Sequence, residues 1–198
     1  MKRIVFATGN QNKMREIREI MKDFDVEVLS MKEAGAYADP EENGTCFEEN
    51  SLIKARAVWE LCHHIVLADD SGLEIDALNK EPGIYSARYM GKDTSYDEKN
   101  RNLIERLSGV PDEERTARFV CAAAAVLEDG TEYVVRETME GRIAYEQKGS
   151  NGFGYDPIFF LPEYGCTSAE LSPEEKNRIS HRGKALRALK EKLAGHLQ

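Results

Sequence analysis

Two adjacent carboxylates follow directly on an apolar run, at the most informative junction in this sequence. Residues 65–68 read IVLA, and Asp69 and Asp70 come next. A short continuous apolar run predicts a strand buried on both faces, here ending at the acids. Ligands collect at the carboxyl ends of such strands in α/β sheets. Two neighbouring acids repel each other unless a cation joins them, and Mg²⁺ favours one or two carboxylates with waters and phosphate oxygens.

A second candidate for chemistry is the segment 8–13, placed between a predicted strand and a predicted helix. Glycine lets the backbone approach a ligand, helix-start amides carry partial positive charge, and a lysine adds a full charge. These properties suit phosphate, although the spacing is not that of a Walker A loop and Gly-Asn is also an ordinary turn. The residues are Thr8, Gly9, Asn10, Gln11, Asn12 and Lys13.

Two further stretches could contact a ligand. The loop 149–157 interleaves three glycines with two aromatic residues, which suits a ring placed against a flat ligand and equally suits a structural turn. Lys176 and Ser180 share a helix face if one helix runs through both, with His181 and Arg182 donating around the turn. A solvated basic helix end is the alternative for that group.

Alternating strand and helix patterns must position these residues. The first strand covers about residues 3–8, and the helix after it has its apolar stripe between residues 13 and 23. Thr45 predicts the cap of another helix, with Glu48 in the capping-box position. Ser172 predicts the cap of the C-terminal helix, with Gly183 as its break. The other predicted elements are strands 26–29 and 158–160, a helix 97–107, and a hairpin of strands 119–127 and 132–136 with a two-residue turn at 129–130.

Composition bounds the function. The chain has 198 residues with 27 Lys+Arg against 36 Asp+Glu, a net charge of −9, so a nucleic-acid polymer is not an expected partner. No apolar stretch approaches the roughly 20 residues that span a bilayer, and we expect a cytoplasmic protein without membrane contact. The four cysteines form no CxxC pair, which favours reduced packing thiols. We expect one domain, 1–198, built on a mixed α/β sheet.

Six motifs in order between residues 7 and 182 resemble the inosine/xanthosine triphosphate pyrophosphatase family. They are ATGN with Lys13, the stretch 41–55 (EENGTCFEENSLIKA), ADDSGL at 68–73, PGIYSARY at 82–89, FGYDPIF at 153–159, and EK at 175–176 through SHR at 180–182. The resemblance implies an elongated mixed β-sheet flanked by helices, with two lobes and a central cleft. It also implies a homodimer.

The implied activity is hydrolysis of deaminated purine nucleoside triphosphates (ITP, dITP, XTP) to the monophosphate and pyrophosphate, with Mg²⁺. By similarity, Asp70 is the proton acceptor for the attacking water, and Glu41 and Asp70 hold the metal. Residues 8–13 and Ser71 contact the triphosphate. The purine pocket is formed by Phe153, Gly154, Tyr155 and Asp156, and recognition is completed by Lys176, His181 and Arg182.

Two positions depart from the family pattern: Cys46, where threonine is more usual, and Ser51, where alanine is. Both follow the acidic loop, which leaves Glu42 open as an alternative to Glu41 at the metal. Lys54, on the same helix, is a weaker candidate for phosphate contact and is not included among the site residues.

Specificity for a 6-oxo purine follows if the pocket offers hydrogen-bond donors at that atom, because adenine's amino group would leave them unpaired. Such a site discriminates by roughly 10⁴-fold. Guanine shares the 6-oxo group, and the sequence does not identify the residue that rejects it. One alternative is a related pyrophosphatase for pyrimidine or modified nucleotides. The other is a nucleotide-binding regulator without turnover, which is disfavoured because the acids would repel phosphate without a metal.

Overall fold

The computed structural model describes residues 2–196, whose strands form a seven-stranded mixed sheet in the order β2-β1-β3-β4-β5-β6-β7. β1 pairs in parallel with β2 and β3, whereas β6 pairs antiparallel with β5 and β7. This confirms the predicted mixed α/β fold. The strands are β1 (Lys2–Phe6), β2 (Val26–Ser30), β3 (Ile65–Ile75), β4 (Thr116–Val126), β5 (Glu132–Ile143), β6 (Phe159–Leu161) and β7 (Cys166–Thr167).

Five α-helices accompany the sheet: α1 (Gln11–Ile20), α2 (Phe47–Cys62), α3 (Tyr96–Arg106), α4 (Pro173–Ile179) and α5 (His181–Leu193). Within residues 2–196, no helix is both long and apolar enough to cross a membrane. All four cysteines are free thiols, as expected. The chain divides into two compact units, the first of residues 1–71, 121–137 and 180–198 and the second of residues 72–120 and 138–179. The single domain expected from the sequence stays a prediction.

In the first unit, strand alternation sorts the buried side chains onto two faces. On one face Ile65 and Leu67 of β3 pack with the apolar stripes of α1 and α5. On the other, Val66 and Ala68 pack with Ala55 and other residues of α2. Both faces of the sheet are covered here, which explains why the run 65–68 is apolar throughout.

The second unit has its own core, centred on the buried side of α3. Leu103 and Leu107 at the end of that helix pack against Phe119, Ile143 and Phe159. The same cluster includes Tyr155, so one aromatic residue of the predicted glycine-aromatic loop belongs to the core. The loop is therefore attached to a packed scaffold.

β3 differs from the sequence expectation, because it continues through the acids to Ile75 instead of ending at Asp69. Its parallel pairing with β1 covers only Ile65–Leu67, since β1 stops at Phe6. β4 remains hydrogen-bonded to β3 as its other neighbour in the sheet. The acids thus lie inside a strand, at the point where one neighbouring strand has ended.

Three turn and cap predictions need correction. Cys46, not Thr45, is the residue before α2, and Glu49, not Glu48, accepts hydrogen bonds from the Thr45 amide and hydroxyl. The β4–β5 connection is a three-residue turn, since the Leu127 amide donates to the Thr131 carbonyl. The third correction concerns the position of the break between the two C-terminal helices.

The predicted capping box at Ser172 is present, with reciprocal hydrogen bonds to Glu175. The break, however, falls at Ser180 and not at Gly183. The Ser180 hydroxyl accepts from the Gly183 amide and caps α5, which starts at His181. Lys176 and Ser180 therefore do not share the face of one helix, because α4 ends at Ile179.

Candidate active site

Asp69 and Asp70 leave β3 toward opposite faces of the sheet, because successive strand residues alternate. Asp69 has the parity of Leu67 and meets residues of α1 and α5, whereas Asp70 has the parity of Ala68 and meets α2. Both carboxyl groups are buried, with 1% and 7% of each residue exposed. The two acids are thus neutralised by different cations and do not simply face one another.

Asp69 is held by two full positive charges. Its Oδ2 lies 3.1 Å from the Lys13 Nζ and 3.2 Å from the Arg182 Nε, and it accepts from the Ser71 hydroxyl at 2.6 Å. Arg182 also donates to Glu16. Burial alone would raise the pKa of Asp69, but Lys13 and Arg182 hold that pKa well below its usual range. Asp69 is therefore a permanent anion that fixes both cations.

Asp70 is less well compensated. Its Oδ1 accepts from the Ser71 amide at 3.1 Å and lies 3.5 Å from the Lys54 Nζ. Its Oδ2 is buried and has no hydrogen-bond partner among residues 2–196. Burial raises the pKa of Asp70, and the pull of Lys54 and Lys13 in the other direction only partly offsets this. A buried carboxylate oxygen of this kind is suited to accept a proton or to bind a cation.

Lys54 connects Asp70 to the acidic loop. Its Nζ lies 3.0 Å from Glu42 Oε2, whereas Glu41 is exposed to solvent. Burial would lower the pKa of Lys54, but Asp70, Asp69 and Glu42 raise it, so the side chain stays charged. The acidic loop thus reaches the aspartates through a lysine.

The segment 8–13 forms the entry to α1. Asn10 is the N-cap, and its side-chain oxygen accepts from the amides of Asn12 and Lys13. The first turn contains no acidic residue, and a Cβ built on Gly9 would meet no atom within 4 Å. Gln11 and Asn12 are exposed, and the hydroxyl of the half-buried Thr8 accepts from the Asn10 amide. A helix start without acidic residues and beside open space can bind an anion.

In the second unit, Asp156 organises the glycine-aromatic loop. Its carboxylate is buried and accepts from the Lys176 ammonium at 2.7 Å, the Ser168 hydroxyl at 2.7 Å and the Phe153 amide at 2.9 Å. The Lys176 ammonium also lies 5.2 Å from the centre of the Phe153 ring. Glycine is required at position 152, because a Cβ there would approach Asp156 Oδ2 to 2.2 Å.

Comparisons with known proteins identify the family of this chain. The model of the Ham1 family matches residues 4–192. The chain belongs to the Ham1 family. It is 47% identical over 204 aligned residues to the dITP/XTP pyrophosphatase of Clostridium perfringens, covering all of both chains. It is 50% identical to the dITP/XTP pyrophosphatase of Vibrio parahaemolyticus, over 96% of this chain and 95% of that protein.

Solved structures of Ham1 proteins have the same fold. The HAM1 protein of Coxiella burnetii superposes with a TM-score of 0.87 at 42% identity, over 98% of this chain and 100% of that one. The Ham1 protein of Staphylococcus aureus gives a TM-score of 0.86 at 42% identity, over 98% and 99%. The mixed sheet described above is therefore the Ham1 fold.

The sequence-predicted residues of this Ham1 chain fall into two groups. One lies in the first unit and joins Lys13, Asp69, Asp70, Ser71 and Arg182 by direct contacts. The other lies in the second unit, where Phe153, Asp156 and Lys176 contact one another and Gly154 and Tyr155 belong to the same loop. His181 is buried at the first residue of α5.

Lys54 is the site residue that the sequence analysis leaves out. A usable signal was present, because Lys54 occupies the stripe of α2 that contains the buried residues Asn50, Ser51 and Val58. A lysine on a buried helix stripe needs an acidic partner. The position of Lys54 on the buried face of α2 was thus enough to predict a carboxylate packed against it.

Among residues 2–196, no group of three or more His, Cys, Asp or Glu side chains is placed to hold a metal ion. Mg²⁺ takes one or two carboxylates and completes its shell with water and phosphate, so it does not require such a group. The buried, unpartnered Oδ2 of Asp70 fits such a cation.

A cavity of about 430 Å³ lies elsewhere in the second unit, and no predicted site residue lines it. Both of its cations are already paired, Arg142 with Asp112 and Lys148 with Glu146. The cavity therefore offers no excess positive charge to a triphosphate.

Proposed function

We propose that this Ham1 chain is a nucleoside triphosphate pyrophosphatase that hydrolyses ITP, dITP and XTP to the monophosphate and pyrophosphate. The observation that carries the proposal is the buried Asp70 carboxylate, whose Oδ2 has no partner within residues 2–196 while Lys54 lies at its other oxygen. The names of the two relatives, dITP/XTP pyrophosphatase, support the substrate class.

Asp70, with Glu41 or Glu42, is proposed to hold Mg²⁺, which when bound would neutralise charge on the phosphate oxygens. The contact of Glu42 with Lys54, and of Lys54 with Asp70, favours Glu42 over the exposed Glu41 as the second carboxylate. We keep both as candidates because a variant of each separates them.

The side chains of the first unit supply positioning and proton transfer. Lys13 and the amides at the start of α1 hold the triphosphate, with Ser71 beside it. Asp70 accepts the proton of the water that attacks the α-phosphorus. No covalent nucleophile is required, because phosphoryl transfer depends mainly on positioning and charge stabilisation.

For Arg182 we propose a narrower part than the family resemblance implies. The residue is 2% exposed, and its guanidinium donates to Asp69, Glu16 and Ser71. We propose that Arg182 acts by fixing Asp69 and the Ser71 hydroxyl.

The loop 153–156 is proposed to take the purine. The ring of Phe153 offers a flat apolar surface, and the Lys176 ammonium, fixed by Asp156, offers a donor next to it. A 6-oxo group accepts from such a donor, whereas the amino group of adenine does not. Discrimination against ATP by roughly 10⁴-fold is within reach of a site of this type.

A substrate panel with a pyrophosphate readout tests the proposal. Purified protein with Mg²⁺ is expected to release pyrophosphate from ITP and XTP much faster than from ATP and GTP. Equal rates for all four would refute the specificity, and faster release from pyrimidine triphosphates would favour the related pyrophosphatase. Saturable ITP binding by calorimetry without pyrophosphate would identify a nucleotide-binding regulator.

A homodimer acting in the cytoplasm is part of the same proposal, supported by the family resemblance and by the nucleotide substrate. Light scattering after size exclusion checks the dimer, since a mass near that of one 22.3 kDa chain would contradict it.

A further inference from the structure

We infer that Asn100 of α3 is a positioning residue for the purine, because its side chain holds the backbone of the loop 153–156. The inference rests on the proposed function, in which that loop receives the base. Asn100 lies outside the six motifs of the family resemblance, and both the helix and the loop belong to the second unit.

The direct contact is a hydrogen bond from the side-chain amide to the loop backbone. Asn100 is 1% exposed, and its Nδ2 donates to the Gly154 carbonyl at 3.1 Å and to Gln147 Oε1 at 3.3 Å. The opposite amide orientation would place the side-chain oxygen against two acceptors, so the chemistry fixes Nδ2 on this side. A buried donor thus determines where the central residue of the loop lies.

Tyr96, one turn earlier in α3, packs beside the same residue. A Cβ built on Gly154 would lie 3.6 Å from the Tyr96 ring, and Gly154 has a φ of +66°. The Tyr96 ring also packs edge-on against Tyr155, with centroids 5.2 Å apart and an interplanar angle of 90°. Helix α3 therefore contacts two consecutive residues of the loop.

Lys99 provides a second, indirect anchor. This lysine is 1% exposed, and its ammonium donates to the Ala87 carbonyl at 2.9 Å. The neighbouring Ser86 carbonyl accepts the Tyr155 hydroxyl at 2.5 Å. The backbone that holds the far end of Tyr155 is thus itself tied to α3.

The stability of α3 does not depend on the contacts that Asn100 makes with the loop. Leu103 and Leu107 bury the C-terminal half of α3 in the core of the second unit, and the Ser95 hydroxyl caps its start. Removal of the Asn100 amide should therefore release the loop without unfolding α3. A purine-binding loop that must be ordered on binding costs affinity for substrate and leaves the chemical step unchanged.

The test compares Asn100→Leu and Asn100→Asp, which keep the size of the side chain and remove its donors. The control is Glu105→Ala, an exposed position on the same helix. We expect both Asn100 variants to raise the KM for ITP about tenfold, as for one lost hydrogen bond, with kcat nearly unchanged. We also expect faster amide hydrogen exchange across residues 149–158 in the ligand-free protein.

The control should match the wild type in both measurements. Wild-type KM and exchange in both Asn100 variants would overturn the inference, as would a fall in kcat with KM and exchange unchanged. If the wild type releases no pyrophosphate from any triphosphate, the proposed function fails on its own. Hydrogen exchange and ITP affinity by calorimetry would then still decide whether Asn100 anchors the loop.

Discussion

The pKa values of two adjacent carboxylates on opposite faces of β3 shift in opposite directions. On the side of α1 and α5, Asp69 meets the charges of Lys13 and Arg182, and its pKa falls. On the side of α2, Asp70 meets Lys54 at 3.5 Å and also feels the charges of Glu42 and Asp69, and burial raises its pKa. Two identical side chains, one residue apart, thus differ in charge balance because a strand alternates.

This difference in charge balance indicates which of the two acids can react. A carboxylate with two cations contributes to the electrostatic framework, and protonating it would leave those cations unpaired. A carboxylate whose ionised form is poorly stabilised gains from a proton or a metal ion, so we expect Asp70 to be the reactive acid. The comparison predicts that the two acids respond differently to the same substitution.

The largest expected effect is loss of turnover in Asp70→Asn. The amide keeps the shape but cannot accept the proton of the attacking water, so kcat for ITP should fall about 10³-fold or more. Thermal unfolding should stay at the wild-type temperature or rise, because the substitution removes a buried charge that is poorly compensated. Steady-state kinetics and calorimetric melting measure both quantities. A fully active Asp70→Asn would remove this residue from the mechanism.

Asp69→Asn should act mainly on stability. The substitution leaves the buried Arg182 and Lys13 without their shared anion, which should cost about 3 kcal/mol in the free energy of unfolding. Urea unfolding of the two variants side by side measures this. Equal stability of Asp69→Asn and Asp70→Asn would contradict the proposed difference in charge compensation between the two faces of β3.

The stability lost in Asp69→Asn should depend on pH, and the lowered pKa of Asp69 gives the direction of that dependence. The folded pKa of Asp69 lies below the ordinary aspartate pKa of 3.8, so the ionised carboxylate stabilises the folded state above about pH 4. The stability gap between wild type and Asp69→Asn should be full at neutral pH and should shrink as pH falls below 3.8. A gap that persists unchanged at pH 3 would mean that packing, and not charge, is responsible.

The sequence predicted several of the elements that carry the candidate residues, because short-range rules apply to those elements. The apolar run 65–68 indicated a doubly covered strand, the turn after β1 indicated a helix start, and the Ser172 capping box is present. Each of these follows from a local pattern of residue types. The mixed sheet could also be predicted, since both parallel-type and hairpin patterns occur.

What could not be predicted depends on distant partners. Arg182 and Asp69 are 113 residues apart, so no local pattern shows that the arginine is neutralised by the acid. The continuation of β3 past Asp70 depends on where β1 stops, which is a property of the pairing and not of β3 itself. The break at Ser180 was misplaced because a serine cap ends one helix by starting another, whereas Gly183 fits within α5.

The smallest expected effect separates the two acids of the loop before α2 and sharpens the account of the Asp70 face. Glu42 contacts Lys54, which contacts Asp70, whereas Glu41 is exposed. Glu42→Gln should therefore raise the Mg²⁺ concentration needed for half-maximal turnover by about tenfold, as loss of a group at the metal does. Glu41→Gln serves as the matched control and should stay within about twofold of the wild type. The reverse ranking would assign the metal to Glu41, and the contact of Glu42 with Lys54 would then only fix the loop.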